Sequence, residues 1–293
     1  MIFLITFFTA LVIALLMTPV AIMLAPKIGA VDVPRDGRRM HTRAMPRFGG
    51  LAIFAGTIAA ILFFTDLKGA SLGIAVGGTL IYMLGVIDDL KNMPAKVKFL
   101  GQIVCATVAY VLGVRITFIT DHFSFIDGHI FFVGLFSYLI TVLWIVGITN
   151  TINLIDGLDG LAAGVSAIAS LSIAYVAYFQ FAHTEGAISG VYMTAAIIML
   201  AIAGGAVGFL PYNFNPAKIF MGDGGSLFLG FMLATGSAAG AVKGSTLIAV
   251  IVPVLVLGLP IFDTSFAILR RLVNGRPIME ADKGHLHHRL MDA

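Results

Sequence analysis

Nine runs of predominantly apolar residues divide the chain, at about 2–25, 49–65, 70–87, 98–114, 133–149, 161–179, 190–209, 225–242 and 246–268. An apolar stretch of roughly 18 or more residues crosses the ~30 Å hydrocarbon core of a bilayer as a helix, because lipid offers the backbone no hydrogen-bond partner. The runs therefore predict an all-α polytopic membrane helix bundle of about nine transmembrane helices. Composition agrees: 11% of the 293 residues are charged and 59% hydrophobic, whereas a soluble domain carries about 25% charged residues. The first run has no basic residue ahead of it and no small-residue cleavage site, so it reads as an anchor and not a removable signal peptide. Cys105 is the single cysteine, which rules out an internal disulfide.

The connections alternate in charge. Lys27, Arg35, Arg38, Arg39, Arg43 and Arg47 crowd the first; Lys91, Lys96 and Lys98 follow in the third, and Lys218 in the seventh. Arg270, Arg271, Arg276, Lys283 and Arg289 complete the set in the tail, so fifteen of eighteen basic residues share one side. Only Lys68, Arg115 and Lys243 fall on the other. The positive-inside rule places the fifteen in the cytosol and the N-terminus outside. The outer segment "RITFITDHFSFIDGH" alternates like a small hairpin, with Asp127-Gly128 as its expected turn.

The polar clusters all lie on the cytosolic side. Asp88 and Asp89 close the third run, at a helix C-terminus, where the macrodipole disfavours a carboxylate by roughly 0.3–1 kcal/mol. Either Lys91 and solvent offset that cost, or a metal or substrate cation does. Asp223, in "MGDGGS", opens the eighth run; it can be an N-cap helped by Ser226. Gly222, Gly224 and Gly225 would also let backbone N–H groups approach a phosphate, though no Gly-Lys-Ser/Thr follows as in a P-loop. In "TNTINLIDGLDGL" the polar residues Asn150, Asn153, Asp156 and Asp159 recur every third position. On a helix Asn150 and Asp159 would differ by about 900° and point apart, so all four converge only if the segment leaves the α form, which Gly157 and Gly160 allow. Their oxygens are hard ligands of the kind Mg²⁺ accepts. "HLHHRL" suits an anion pocket with Lys283 and Arg289 better than a transition-metal site, since no cysteine stands near it.

Taken together, the strings "DVPRDGRRMHTRAMPRFGG", "GVIDDLKNMPAKVKFLGQ", "NTINLIDGLDGLAAG", "FMGDGGSLFLG", "PIFDT" and "HLHHRL" resemble, in order, the polyprenyl-phosphate N-acetylhexosamine-1-phosphate transferases. The histidine string looks closer to the N-acetylglucosamine branch than to the muramoyl-pentapeptide branch. The resemblance implies transfer of N-acetylhexosamine 1-phosphate from a UDP-N-acetylhexosamine to undecaprenyl phosphate, releasing UMP, to initiate envelope glycan synthesis at a cytoplasmic (inner) membrane. It implies Mg²⁺, or Mn²⁺ in its place, held by Asp223 and Asn153. Asp159 matches the position that reads uracil. Asp156, Lys98, His285, His287, His288 and Arg289 match positions around the nucleotide phosphates, Asp156 being counted with the catalytic groups. Asp88 and Asp89 match the acidic pair assigned to catalysis, with Asp88 as the base. His41, Arg47 and Asn150 fall in the same strings and are expected to bind substrate.

Expected partners are the bilayer, both substrates and a second copy in a homodimer, with no nucleic acid. Similar proteins continue past the histidines into one or two further spans, whereas Ala293 follows Arg289 by four residues. The expectation is thus a single integral-membrane transferase domain, 1–293, lacking the last helices. An inactive shortened paralogue, another UDP-sugar such as UDP-MurNAc-pentapeptide, and a transporter are the competing readings. Against transport, the carboxylates cluster at span ends and not at the midplane, and Asp263, the deepest, is still in the inner third.

Overall fold

The computed structural model describes residues 1–32, 44–116, 118–120, 130–132 and 134–241. Among them are eight α-helices: α1 (Ile2–Ile28), α2 (Gly50–Phe64), α3 (Ala70–Lys91), α4 (Ala95–Val111), α5 (Ser137–Ile155), α6 (Leu161–His183), α7 (Ala187–Asn213) and α8 (Gly222–Ala241). Each coincides with an expected run, and the ninth run, 246–268, lies outside the described residues. β1 (Val31–Asp32) pairs antiparallel with β2 (Met45–Pro46), and β3 (Phe118–Thr120) with β4 (Ile130–Phe132). The second pair is the expected outer hairpin, with Thr120 opposite Ile130. Its Asp127-Gly128 turn falls outside the described residues.

The chain is an all-α polytopic membrane protein. Five helices, among them α1, α3, α6 and most of α7, are long and apolar enough to cross a bilayer unaided. α2 has 15 residues and α4 has 17, so they are about 22 and 26 Å long, less than the hydrocarbon thickness. Both begin among polar segments at the basic end of the bundle, where the chain need not yet be in lipid.

α8 is the axis. Every residue from Gly224 to Ala238 is buried, and the helix packs against α2, α3, α5, α6 and α7. Its sequence explains this, since a helix apolar on all sides has no face to offer water. Phe228 and Phe231 are fully buried. Phe228 meets Phe54 edge-on at 5.5 Å, and Phe54 stacks on Tyr82 at 4.2 Å. Trp144 of α5 donates its indole N–H to the Ala234 carbonyl at 3.1 Å, so this polar group is not stranded in the apolar core.

Small residues set the closest helix contacts. The buried face of α1 is Thr6, Ala10, Ala14, Thr18, Ala21 and Ala25. A Cβ on Gly204 or Gly208 of α7 would strike the α1 carbonyls of Phe7 or Leu11. Lipid tails are as apolar as leucine, so helices associate through such close backbone packing and not through hydrophobic drive. The other face of α1, with Leu4, Phe8, Val12 and Leu16, is exposed as a lipid-facing surface would be. Gly204→Leu should therefore overpack the α1–α7 contact by about 1–3 kcal/mol. Thermal unfolding in detergent should show an apparent Tm lower by about 3–10 °C. An unchanged Tm would mean that the two helices are not in this contact.

The C-terminal ends of α3, α5 and α7 and the N-terminal ends of α2, α4 and α8 meet at one end of the bundle. That end carries every polar cluster whose residues are described, while Lys68 and Arg115 stand at the opposite ends of their helices.

Candidate active site

The site grows from the meeting of α3 and α8. A carboxylate at the end of α3 is unfavourable there, but the antiparallel packing brings it to the start of α8, where the macrodipole favours it. Asp89 uses this. Its Oδ1 accepts the backbone N–H of Asp223 and its Oδ2 that of Gly224, each at 2.9 Å, and Arg47 Nε lies 3.1 Å from Oδ1. The side chain is 2% exposed. Asp89 thus caps a helix other than its own, satisfying two of the donors a helix start leaves over. The start of α8 and Arg47 offset part of the cost expected for this carboxylate.

Glycine makes the approach possible. Gly222 has φ +72°, and a Cβ there would lie 2.6 Å from Asp89 Oδ2; one on Gly85 would lie 2.5 Å from the Asp223 carbonyl. For the glycines of "MGDGGS" the sequence leaves two settings open, an N-cap and an approach to phosphate. In the structure the N–H groups of Asp223 and Gly224 go to Asp89 instead, and a Cβ on Gly50 would strike the nitrogen of Gly225. These glycines serve helix contact.

Asp223, in the first turn of α8, is the centre of the site. Arg47 Nη2 lies 3.0 Å from its Oδ2, Lys98 Nζ 3.2 Å from its Oδ1, and Asn153 Nδ2 donates to Oδ1 at 2.6 Å. Asn153 also donates to Ser226 Oγ at 2.8 Å. Arg47 is aimed by its backbone: its N–H bonds to Ala30 O, while Phe220 N–H bonds to Pro46 O and Gly49 N–H to Phe220 O. Asp88 faces differently from its neighbour. Its Oδ1 accepts the Met93 N–H at 2.7 Å, closing the α3–α4 turn, and its Oδ2 pairs with Lys98 Nζ at 2.8 Å.

The segment "TNTINLIDGLDGL" does not leave the α form where its polarity begins. α5 continues to Ile155, and within it Thr149, Asn150 and Thr151 each satisfy a side-chain donor on the carbonyl four residues back. Its four polar residues consequently part. Asn153 reaches Asp223, and Asp156, just past the helix, lies in the field of Asp223, Arg47 and Asp89. Burial first, and the Asp223 carboxylate second, raise Asp156 to about 7, against the pull of Arg47. Asn150 turns to Gln102 instead. Asp159 accepts at Oδ2 from Ala217 N–H at 3.0 Å and from Asn215 Nδ2 at 3.1 Å. Asn213, 3% exposed, ties the same loops, accepting from Gly160 N–H and donating to Ile219 O.

The structure thus brings together Arg47, Asp88, Asp89, Lys98, Asn153, Asp156 and Asp223, with Asp159 on the adjoining loop. His41, His285, His287, His288 and Arg289 lie outside the described residues, as does Asp263. Gln102 and Asn213 escaped the sequence reading. A single amide inside an apolar run was the only signal for Gln102, and for Asn213 only its place beside a polar loop.

Residues 71–241 match the model of Glycosyl transferase family 4. The chain belongs to that family. It is 45% identical, over 98% of its own length and 76% of the relative's, to the probable undecaprenyl-phosphate N-acetylglucosaminyl 1-phosphate transferase of Bacillus subtilis. It is 37% identical, over 97% and 74%, to the decaprenyl-phosphate N-acetylglucosaminephosphotransferase of Mycobacterium tuberculosis. With the undecaprenyl-phosphate alpha-N-acetylglucosaminyl 1-phosphate transferase of Thermotoga maritima it shares 30% identity, over 94% and 78%. Within the family, the two cations on Asp223 and the capped carboxylate of Asp89 are the features that a transferase of phosphorylated sugars can use.

Proposed function

We propose that this family 4 member transfers N-acetylglucosamine 1-phosphate from UDP-N-acetylglucosamine to undecaprenyl phosphate, at the cytosolic face of the inner membrane. An oxygen of the lipid phosphate attacks the phosphorus that bears the sugar, the bond from that phosphorus to the UMP oxygen breaks, and UMP leaves. One observation carries the reading: Arg47 and Lys98, from two separate segments, converge on Asp223 at the basic end of the bundle. Paired with Asp88, Asp89 and Asp223, these two cations leave the cluster with excess carboxylate charge, which a divalent cation would offset when the phosphates bind. The names of the relatives supply the sugar and the lipid, and the fifteen basic residues that the sequence assigns to one side support the orientation.

Asp223 and Asn153 are the residues that would hold Mg²⁺, or Mn²⁺ in its place. The donor set fits, since a carboxylate and an amide oxygen are both hard ligands. Among the described residues no three His, Cys, Asp or Glu side chains gather as an all-protein cage, and Mg²⁺ characteristically keeps waters and shares its sphere with substrate phosphates. When bound, the ion supplies charge neutralisation at the transferring phosphoryl group. Arg47 and Lys98 hold the Asp223 carboxylate in place, and Asp89 holds α8 and Arg47. The lipid phosphate has its second pKa near 6 and is largely dianionic at neutral pH, so it scarcely needs a base. Asp88 orients Lys98 in this scheme. Asp159, hydrogen-bonded on the loop beside the site, would read the uracil edge, as its motif implies.

The test is UMP release by the chain in detergent, with UDP-N-acetylglucosamine, undecaprenyl phosphate and Mg²⁺. UMP formed only when lipid phosphate and metal are both present is the expected result. No UMP from a folded preparation, with this or other UDP-sugars, would overturn the proposal.

A further inference from the structure

Gln102 stands one turn beyond Lys98 on α4, inside an apolar run, and is 2% exposed. Its amide is paired in both directions with that of Asn150 on α5. Gln102 Nε2 donates to Asn150 Oδ1 at 3.2 Å, and Asn150 Nδ2 donates to Gln102 Oε1 at 2.5 Å. The same Nδ2 donates to the Val146 carbonyl at 2.8 Å, which fixes the side chain on its own helix. One turn nearer the polar end on each helix are Lys98 and Asn153, and both reach Oδ1 of Asp223, at 3.2 and 2.6 Å. Two helices thus deliver one group each to a single oxygen, and one turn deeper a reciprocal amide pair joins them.

An apolar contact between α4 and α5 could slide or rotate by part of a turn with little cost. A buried two-bond amide pair has a single register, because any slip strands buried donors and acceptors. We infer that Gln102 and Asn150 form a positioning pair that sets the register of α4 on α5 and so holds the Lys98 amine against Asp88 and Asp223. This rests on the proposed transferase reading and adds to it a residue that acts through Lys98. It also assigns Asn150 to aiming Lys98, in place of the substrate contact expected from its motif.

Two readouts on the same detergent preparations test it. The first is labelling of lysines by an amine-reactive reagent, with the exposed Lys91 and Lys96 as internal references, followed by peptide mass spectrometry. The second is the kcat and KM of UMP release. In Gln102→Leu the Lys98 amine, now 16% exposed and doubly ion-paired, is expected to label several-fold faster relative to Lys91 and Lys96. The same variant should lose on the order of 10- to 100-fold in kcat, the scale of a misplacement near 1 Å, with a smaller change in KM. The exchanged pair Gln102→Asn with Asn150→Gln keeps both amides and their summed length, and should recover both readouts. Unchanged Lys98 labelling in Gln102→Leu overturns the inference, and so does an exchanged pair that is folded yet no better than the leucine variant. The near-isosteric Gln102→Met gives the same comparison if the leucine variant does not fold. Labelling needs no turnover, so a wild-type protein that releases no UMP sinks the transferase reading while the register is still decided.

Discussion

Asp223→Ala is expected to reduce UMP release on the order of 10³-fold or more, and Asp88→Ala only on the order of 10- to 100-fold, at saturating Mg²⁺. The difference follows from what each carboxylate touches. Asp223 is the meeting point of Arg47, Lys98 and Asn153 and the carboxylate proposed to hold the metal, so its removal takes away the ion's charged ligand even though Arg47 keeps Asp89 and Lys98 keeps Asp88. Asp88 bonds the Met93 N–H and Lys98 Nζ; without it Lys98 still has Asp223. Phosphoryl transfer with a dianionic acceptor depends on charge neutralisation and positioning more than on a proton acceptor. The comparison uses initial rates of both variants, each checked for folding. A dead Asp88→Ala beside a working Asp223→Ala would make Asp88 the base and would falsify the electrostatic account.

Asp89→Ala is expected to act through the fold. It removes the acceptor for two N–H groups at the start of α8, worth about 0.5–2 kcal/mol for a helix cap. It also leaves Arg47 with one carboxylate where it had two. Breaking a buried ion pair costs about 3–5 kcal/mol, less here because Arg47 is 34% exposed. A total of roughly 2–4 kcal/mol lowers the apparent Tm by roughly 5–12 °C, and activity falls with it because α8 carries Asp223. Asp89→Asn keeps one acceptor and should be intermediate in Tm. If Asp89→Ala melts with the unaltered protein while turnover vanishes, the carboxylate acts in the chemistry itself and the cap is incidental.

Much of the protein was legible from hydropathy, because lipid imposes one rule on every span: backbone groups must bond within the segment. Eight of the nine apolar runs coincide with α1–α8, and the basic segments whose residues are described gather at one end. The identities of Asp88, Asp89, Asn153, Asp156 and Asp223 were likewise readable, since acidic and amide residues stand out in an oily chain. Hydropathy did not mark where α5 stops. Polarity begins at Asn150 while the helix runs to Ile155, with threonine and asparagine side chains bonded back to the helix.

The tertiary structure decided which polar group serves which partner. Hydropathy and helix position alone do not separate Asp88 from Asp89. Successive residues on a helix point about 100° apart, so one meets Lys98 and the other the start of α8. Asn150 and Asn153 divide in the same way, between Gln102 and Asp223. Arg47 and Lys98 come from segments far apart in the chain and meet only because α8 lies at the centre of the bundle. Hydropathy depends on each residue's own transfer from water and survives in the linear order. An ion pair depends on a distance between two segments, and that distance exists only once the helices have packed.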